Sequence, residues 1–93
     1  MSHLIEHHSE ELIKRLSKIE GQVSGIKKMV ADNKEYADIL IQLNSARAAI
    51  QKISQIILEA QADHSLMHVS EGFDLAKEME TLRCVITQYN KMN

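Results

Sequence analysis

The sequence is poor in everything that interrupts, staples or rigidifies a chain. Its 93 residues include no proline, no tryptophan, one cysteine, three glycines and only 3% aromatic residues. A single thiol, Cys84, excludes an intrachain disulfide and any cysteine-rich zinc module. There is no run of 18 apolar residues, which argues against membrane insertion, and no secretory leader, which makes the cytoplasm the expected compartment. No Ser/His/Asp set, glycine-rich phosphate loop or paired-carboxylate pattern occurs, so an enzyme is not expected. A net charge of -2 also lacks the basic excess usual in nucleic-acid binders, and any such footprint has to be local.

What is present is aliphatic. Hydrophobic residues make up 44%, five of the residues are methionine, and the composition is that of long helices, so an all-α fold is expected. A chain this short is one small domain that buries a modest core alone, and further core has to come from partners. Leu12, Leu16, Ile19, Val23, Ile26 and Val30 recur at steps of four and three, the apolar seam of a helix over about residues 10–31, with Ser9 as its expected N-cap and residues 1–8 as a mobile arm. Asp32-Asn33 is a short polar break, so the next helix should run antiparallel. That helix, over about 34–68, keeps the heptad through Tyr36, Ile39, Leu43, Ala46, Ile50, Ile53, Ile57, Ala60, His64 and Met67, and Leu40, Ile41 and Ile56 widen its apolar surface. One antiparallel helix cannot cover both sides of it. Dimerisation through this helix into a four-helix bundle is therefore expected, and the dimers are expected to pair again into a tetramer. Gly72 breaks the pattern, with Ser70 as a candidate cap for a third amphipathic helix over about 73–90, seamed by Leu75, Met79, Leu82, Ile86 and Tyr89.

The first helix carries a second stripe. Lys14, Lys18, Gly21, Gly25 and Lys28 recur at the same steps as the seam, with Arg15 and Gln22 alongside. Each glycine inside a helix costs about 1 kcal/mol relative to alanine, so two on one basic stripe suggest that a phosphate chain or another helix approaches closely. The plain alternative is a solvated face.

The stretch Arg15-Leu16-Ser17-Lys18-Ile19-Glu20-Gly21-Gln22-Val23-Ser24-Gly25-Ile26 resembles the first helix of the copper-sensing CsoR, nickel/cobalt-sensing RcnR and formaldehyde-sensing FrmR family of small helical bacterial repressors, and Asp38-Ile39-Leu40 and Gln42 through Arg47 extend the likeness. The resemblance implies a repressor of double-stranded operator DNA and matches Arg15 and Lys52 to basic positions implicated in relatives. Lys14, Lys18, Gln22, Lys28 and Arg47 are neighbours on the helical reading. Ser24 stands where many relatives carry arginine. Without a helix-turn-helix pattern, binding would rely on phosphates and groove shape.

The same resemblance locates the usual ligand residues at Tyr36, Gln61 and Ser65, and none of these is a thiolate or an imidazole. Cu(I) is excluded there, since it selects soft thiolate or imidazole donors, and a cysteine nucleophile for an aldehyde or persulfide is missing. Candidates for a divalent metal are His64 and His68, spaced i, i+4 on one helix, with His3, His7 or His8 from the arm. Nickel/cobalt-sensing relatives do use a histidine at the third residue. Other readings left open are a helical protein-interaction module, including a ligand-blind partner of a paralogous sensor, and a packed, hydrogen-bonded role for His64.

Overall fold

The computed structural model describes the backbone of residues 3–92 and side chains from His8 to Met92. It contains three helices, α1 (His3–Ala31), α2 (Tyr36–Ser70) and α3 (Leu75–Asn90), and no strand among the described residues.

Helix α1 begins at His3 and not at Glu10, so the expected arm at residues 1–8 is helical from His3 onward and Ser9 lies inside the helix. The pattern supplies the reason. The sevenfold step through Ile26, Ile19 and Leu12 reaches Ile5, and no proline or glycine intervenes to stop the helix. The ends of α1 at residue 31 and α3 at residue 90 fall where expected, while both ends of α2, at 36 and 70, and the start of α3, at 75, shift by two residues.

Both connections are Schellman turns. In the first, Asn33 takes φ 56° while Lys34 N–H donates to the Met29 carbonyl at 3.0 Å and Asn33 N–H to that of Val30 at 3.2 Å. In the second, Gly72 takes φ 93°, Phe73 N–H donates to the His68 carbonyl at 3.0 Å and Gly72 N–H to that of Val69 at 3.1 Å. Helix α3 is capped by Asp74, whose carboxylate accepts from Ala76 N–H at 3.0 Å. Ser70, the expected cap, instead donates back to the Met67 carbonyl at 2.7 Å within the last turn of α2.

The chain divides into two units inside the continuous helix α2. One unit is Glu10–Ile53, and the other takes Ser54 onward together with the start of α1 up to Ser9. In the Glu10–Ile53 unit α1 and the first half of α2 run antiparallel, as the bond from Gln22 Nε2 to Ser45 Oγ (3.1 Å) shows, and Leu12, Ile19, Ile26, Ala46 and Ile53 are buried. In the other, the second half of α2 runs antiparallel to α3, tied by the pairs His68–Glu78 and Ser54–Met92, with Ala60, Gln61 and Ser65 buried.

The heptad seams are split by burial. On α1 the residues Leu12, Ile19 and Ile26 are buried while Leu16, Val23 and Val30 stay exposed; on α2 the residues Ala46, Ile53 and Ala60 are buried while Tyr36, Leu43, Ile50 and Ile57 stay exposed. In each helix every second seam position packs within the protomer and the alternate positions are left for another surface.

Candidate functional site

The basic stripe lies on the Glu10–Ile53 unit. Lys14, Lys18, Lys28, Arg47 and Lys52 are exposed, and Arg15 and Gln22 are half-buried. Arg15, Lys18, Gln22 and Ala49 line one recess of about 370 Å³, so a residue of α2 joins three of the stripe. Arg15 is held by Glu11 one turn earlier, its Nε and Nη2 donating to one carboxylate oxygen at 3.2 and 3.1 Å. A surface pair of this kind contributes about 0–1 kcal/mol, so Glu11 does not lock the guanidinium in place. A Cβ built on Gly21 or Gly25 meets nothing within 4 Å, so no contact within the protomer calls for either glycine.

Charge is segregated between the units. Glu10–Ile53 carries eight Lys and Arg against six Asp and Glu, a net of +2, whereas the rest carries three against seven, a net of -4, which together give the -2 of the chain.

Tyr36, Gln61 and Ser65, the positions that the resemblance matches to relatives' ligands, do not form a metal donor set. Gln61 and Ser65 are buried on α2 and bonded to each other, Gln61 Nε2 donating to Ser65 Oγ at 3.0 Å, and Tyr36 is 86% exposed at the start of the helix. A neutral amide and a neutral hydroxyl that satisfy one another do not fit a copper or nickel ion.

One step along the same helix lies a different cluster. His64, His68 and Glu78 each offer a ligand atom, and these atoms lie within 4.8 Å of one another. His68 Nδ1 meets Glu78 Oε2 at 3.2 Å, and the two imidazole centroids are 3.8 Å apart. The local fold builds this cluster. His68 is the residue whose carbonyl closes the second Schellman turn, and Phe73, two residues after the last turn, stacks on its ring at a centroid distance of 4.3 Å. Such an apolar contact commonly accompanies the motif. Asp74 then starts α3, so Glu78 falls in its first turn and returns to His68. His64 Nδ1 is out of solvent's reach and has no hydrogen-bond partner, an omission worth about 1–3 kcal/mol of lost solvation. The packed, hydrogen-bonded role for His64 is therefore only half met: it is packed, and Nδ1 is unbonded.

Sequence reasoning picked out His64 and His68 from their i, i+4 spacing and missed Glu78 and Phe73. The usable signal was the order Gly72-Phe73-Asp74, a left-handed C-cap, an apolar residue and an N-cap, which turns α3 back so that its first turn meets the last turn of α2. His3 and His7 lie outside the described side chains, and His8 belongs to α1. Cys84 is a free, exposed thiol on α3.

The sequence model of the metal-sensitive transcriptional repressor family matches residues 8–88. The chain is 29% identical to the copper-sensing transcriptional repressor CsoR of Bacillus subtilis over 91 residues, covering 98% of this chain and 90% of that one. It is 30% identical to the transcriptional repressor RcnR of Citrobacter koseri over 91 residues, covering 98% of this chain and all of that one. Its fold is similar to that of the nickel-responsive transcriptional regulator InrS, with a TM-score of 0.82 and 26% identity over 86% of this chain and 90% of the other. These relatives are transcriptional repressors or regulators and not enzymes. Among the described residues no helix is long and apolar enough to cross a membrane. With residues 8–88 matched and the three-helix fold shared, the chain belongs to the metal-sensitive transcriptional repressor family.

Proposed function

We propose that the protein is a repressor that binds double-stranded operator DNA through the basic face of the Glu10–Ile53 unit, presented in several copies by a homo-oligomer joined through α2. The observation that carries this reading is the segregation of charge, with a net of +2 on the unit that holds Lys14, Arg15, Lys18, Gln22, Lys28, Arg47 and Lys52 and -4 on the remainder. The exposed glycines support it, because Gly21 and Gly25 leave room for a backbone or phosphate from outside the protomer. The exposed Leu16, Val23, Leu43 and Ile57 support the oligomer, and tetramer formation would repeat the basic face up to four times. No element is set up as a recognition helix in a helix-turn-helix, so affinity comes from phosphates and specificity from groove shape.

The test is fluorescence anisotropy of a duplex from the gene's own upstream region at two salt concentrations. Arg15→Ala and Lys18→Ala should weaken binding to operator and random DNA by similar factors. They should also lower the slope of log affinity against log salt by about one for each phosphate that is no longer neutralised, with oligomer size unchanged. Failure of the wild type to bind at low salt, or variants with unchanged affinity and slope, would return the stripe to a solvated face and favour a protein-interaction module.

A further inference from the structure

We propose that His64, His68 and Glu78 form a divalent-cation site for Zn(II), Co(II) or Ni(II), and that this site is the effector site of the chain in place of the family positions Tyr36, Gln61 and Ser65. The effector role rests on the DNA-binding reading above; the metal site does not.

Two independent observations carry the site. Three potential ligand atoms converge within 4.8 Å, from side chains that are all partly buried. One residue of that set, His64, also carries a ring nitrogen, Nδ1, that is shielded from water and bonded to nothing. An ion held through this imidazole would supply a partner that the chain itself does not. One pair, His68 Nδ1 and Glu78 Oε2 at 3.2 Å, already has the separation of two ligands on one tetrahedral ion, about 3.3 Å for bonds of about 2.0–2.1 Å. The third atom lies within 4.8 Å of both and would have to move closer to reach the same ion.

The donor set decides the metal. Two imidazoles and one carboxylate suit borderline divalent ions; the absence of thiolate disfavours Cu(I), and the two nitrogens disfavour Mg(II) and Ca(II), which take oxygen. Three protein ligands leave a coordination position for water, as befits an ion that must come and go. Two ligands come from the end of α2 and one from the first turn of α3, across the turn centred on Gly72, so a bound ion clamps the start of α3 to α2. The family position offers no such lever, because Gln61 and Ser65 are occupied with each other.

The experiment is titration of chelator-treated, full-length protein with Co(II), read by its visible d–d absorption, followed by displacement with Zn(II). The comparison set is wild type, His68→Gln, Glu78→Gln and the triple variant His3→Ala/His7→Ala/His8→Ala. Glu78→Gln preserves shape and an acceptor for His68, so circular dichroism should show it folded like the wild type. Wild type and the triple variant should bind one Co(II) per protomer, and each single variant should lose affinity by at least roughly 10- to 100-fold. A wild type that binds no Co(II), or binding that survives in both single variants and disappears in the triple variant, would overturn the site. In the anisotropy assay, metal should change operator affinity by roughly 5- to 150-fold, the usual range of coupling between sites. Metal that binds stoichiometrically without changing DNA affinity overturns the effector role alone. A protein that fails to bind DNA both without and with metal overturns the repressor reading, while the titration still decides the site.

Discussion

Leu43 and Ile53 are both seam residues of α2, yet the structure gives them different tasks. Leu43 is left 46% exposed by its own protomer, whereas Ile53 is 7% exposed. Burying a leucine side chain fully is worth about 1.5–3 kcal/mol, so a partner that covers the remaining half would gain roughly 0.7–1.4 kcal/mol from it. In a twofold interface the residue counts twice, so Leu43→Ala should weaken the dimer by up to about 1.4–2.8 kcal/mol, roughly ten- to a hundredfold in dissociation constant. Its effect on the fold of one protomer should be small. Ile53→Ala should do the reverse, lowering stability by about 2–5 kcal/mol through the cavity it leaves inside the helix pair. Sedimentation velocity over a concentration series and denaturant unfolding at fixed concentration separate the two effects. If Leu43→Ala leaves assembly as in the wild type, or if the wild type is a stable helical monomer at micromolar concentration, the alternate seam positions are not an interface and the bundle assembly is refuted.

Two further outcomes are expected. Asp74→Ala removes the cap bond to Ala76 N–H and should destabilise the protein by about 1 kcal/mol, measured by denaturant unfolding; an unchanged midpoint would show that the cap contributes nothing to the α2–α3 turn. Cu(I) competed against a high-affinity chelator should leave no copper on the protein, and retention of one ion per protomer, read by metal analysis after desalting, would show a site other than Tyr36, Gln61 and Ser65 with unforeseen affinity.

The helices were legible because long apolar periods dominate the chain. The left-handed Asn33 was legible too, since Asp32-Asn33 is a polar pair between two seams. The start of α1 was not, because Ser9 followed by two glutamates imitates an N-terminus, and a local capping signal competes poorly with a seam that continues to Ile5. The start of α3 was misread for a similar reason. Ser70 precedes the glycine and looked like a cap, but the chain must first turn through the left-handed Gly72, and Asp74 is the first residue beyond it able to accept from the new helix. The His64/His68 pair followed from spacing alone, whereas Glu78 depends on how the turn folds back, a non-local fact that no helical period reports. The alternation of buried and exposed seam positions is likewise set by how the helices pack and not by the pattern, since Leu43 and Ala46 both sit on one heptad pattern.

The polar residues near the end of α2 form two i, i+4 pairs, Gln61 with Ser65 and His64 with His68, and the second pair is the first moved by three residues. On a helix that move is a rotation of about 60° and a rise of about 4.5 Å, enough to carry a ligand pair from one neighbour to the next. The two pairs differ in how their polar atoms are satisfied. The pair at the family's ligand positions is buried and closed, each side chain bonded to the other. The shifted pair has a carboxylate from α3 on one ring and an unbonded, shielded nitrogen on the other. A buried polar atom left unbonded is a standing cost, and a bound ion is one way to offset it. Gln61 and Ser65 thus bond to each other, while three residues further along α2 His64 and His68 converge with Glu78 of α3, the donor set of the proposed divalent-ion site. On the proposed reading the ion is held by two residues at the end of α2 and one in the first turn of α3, so a His64–His68–Glu78 site acts on α3.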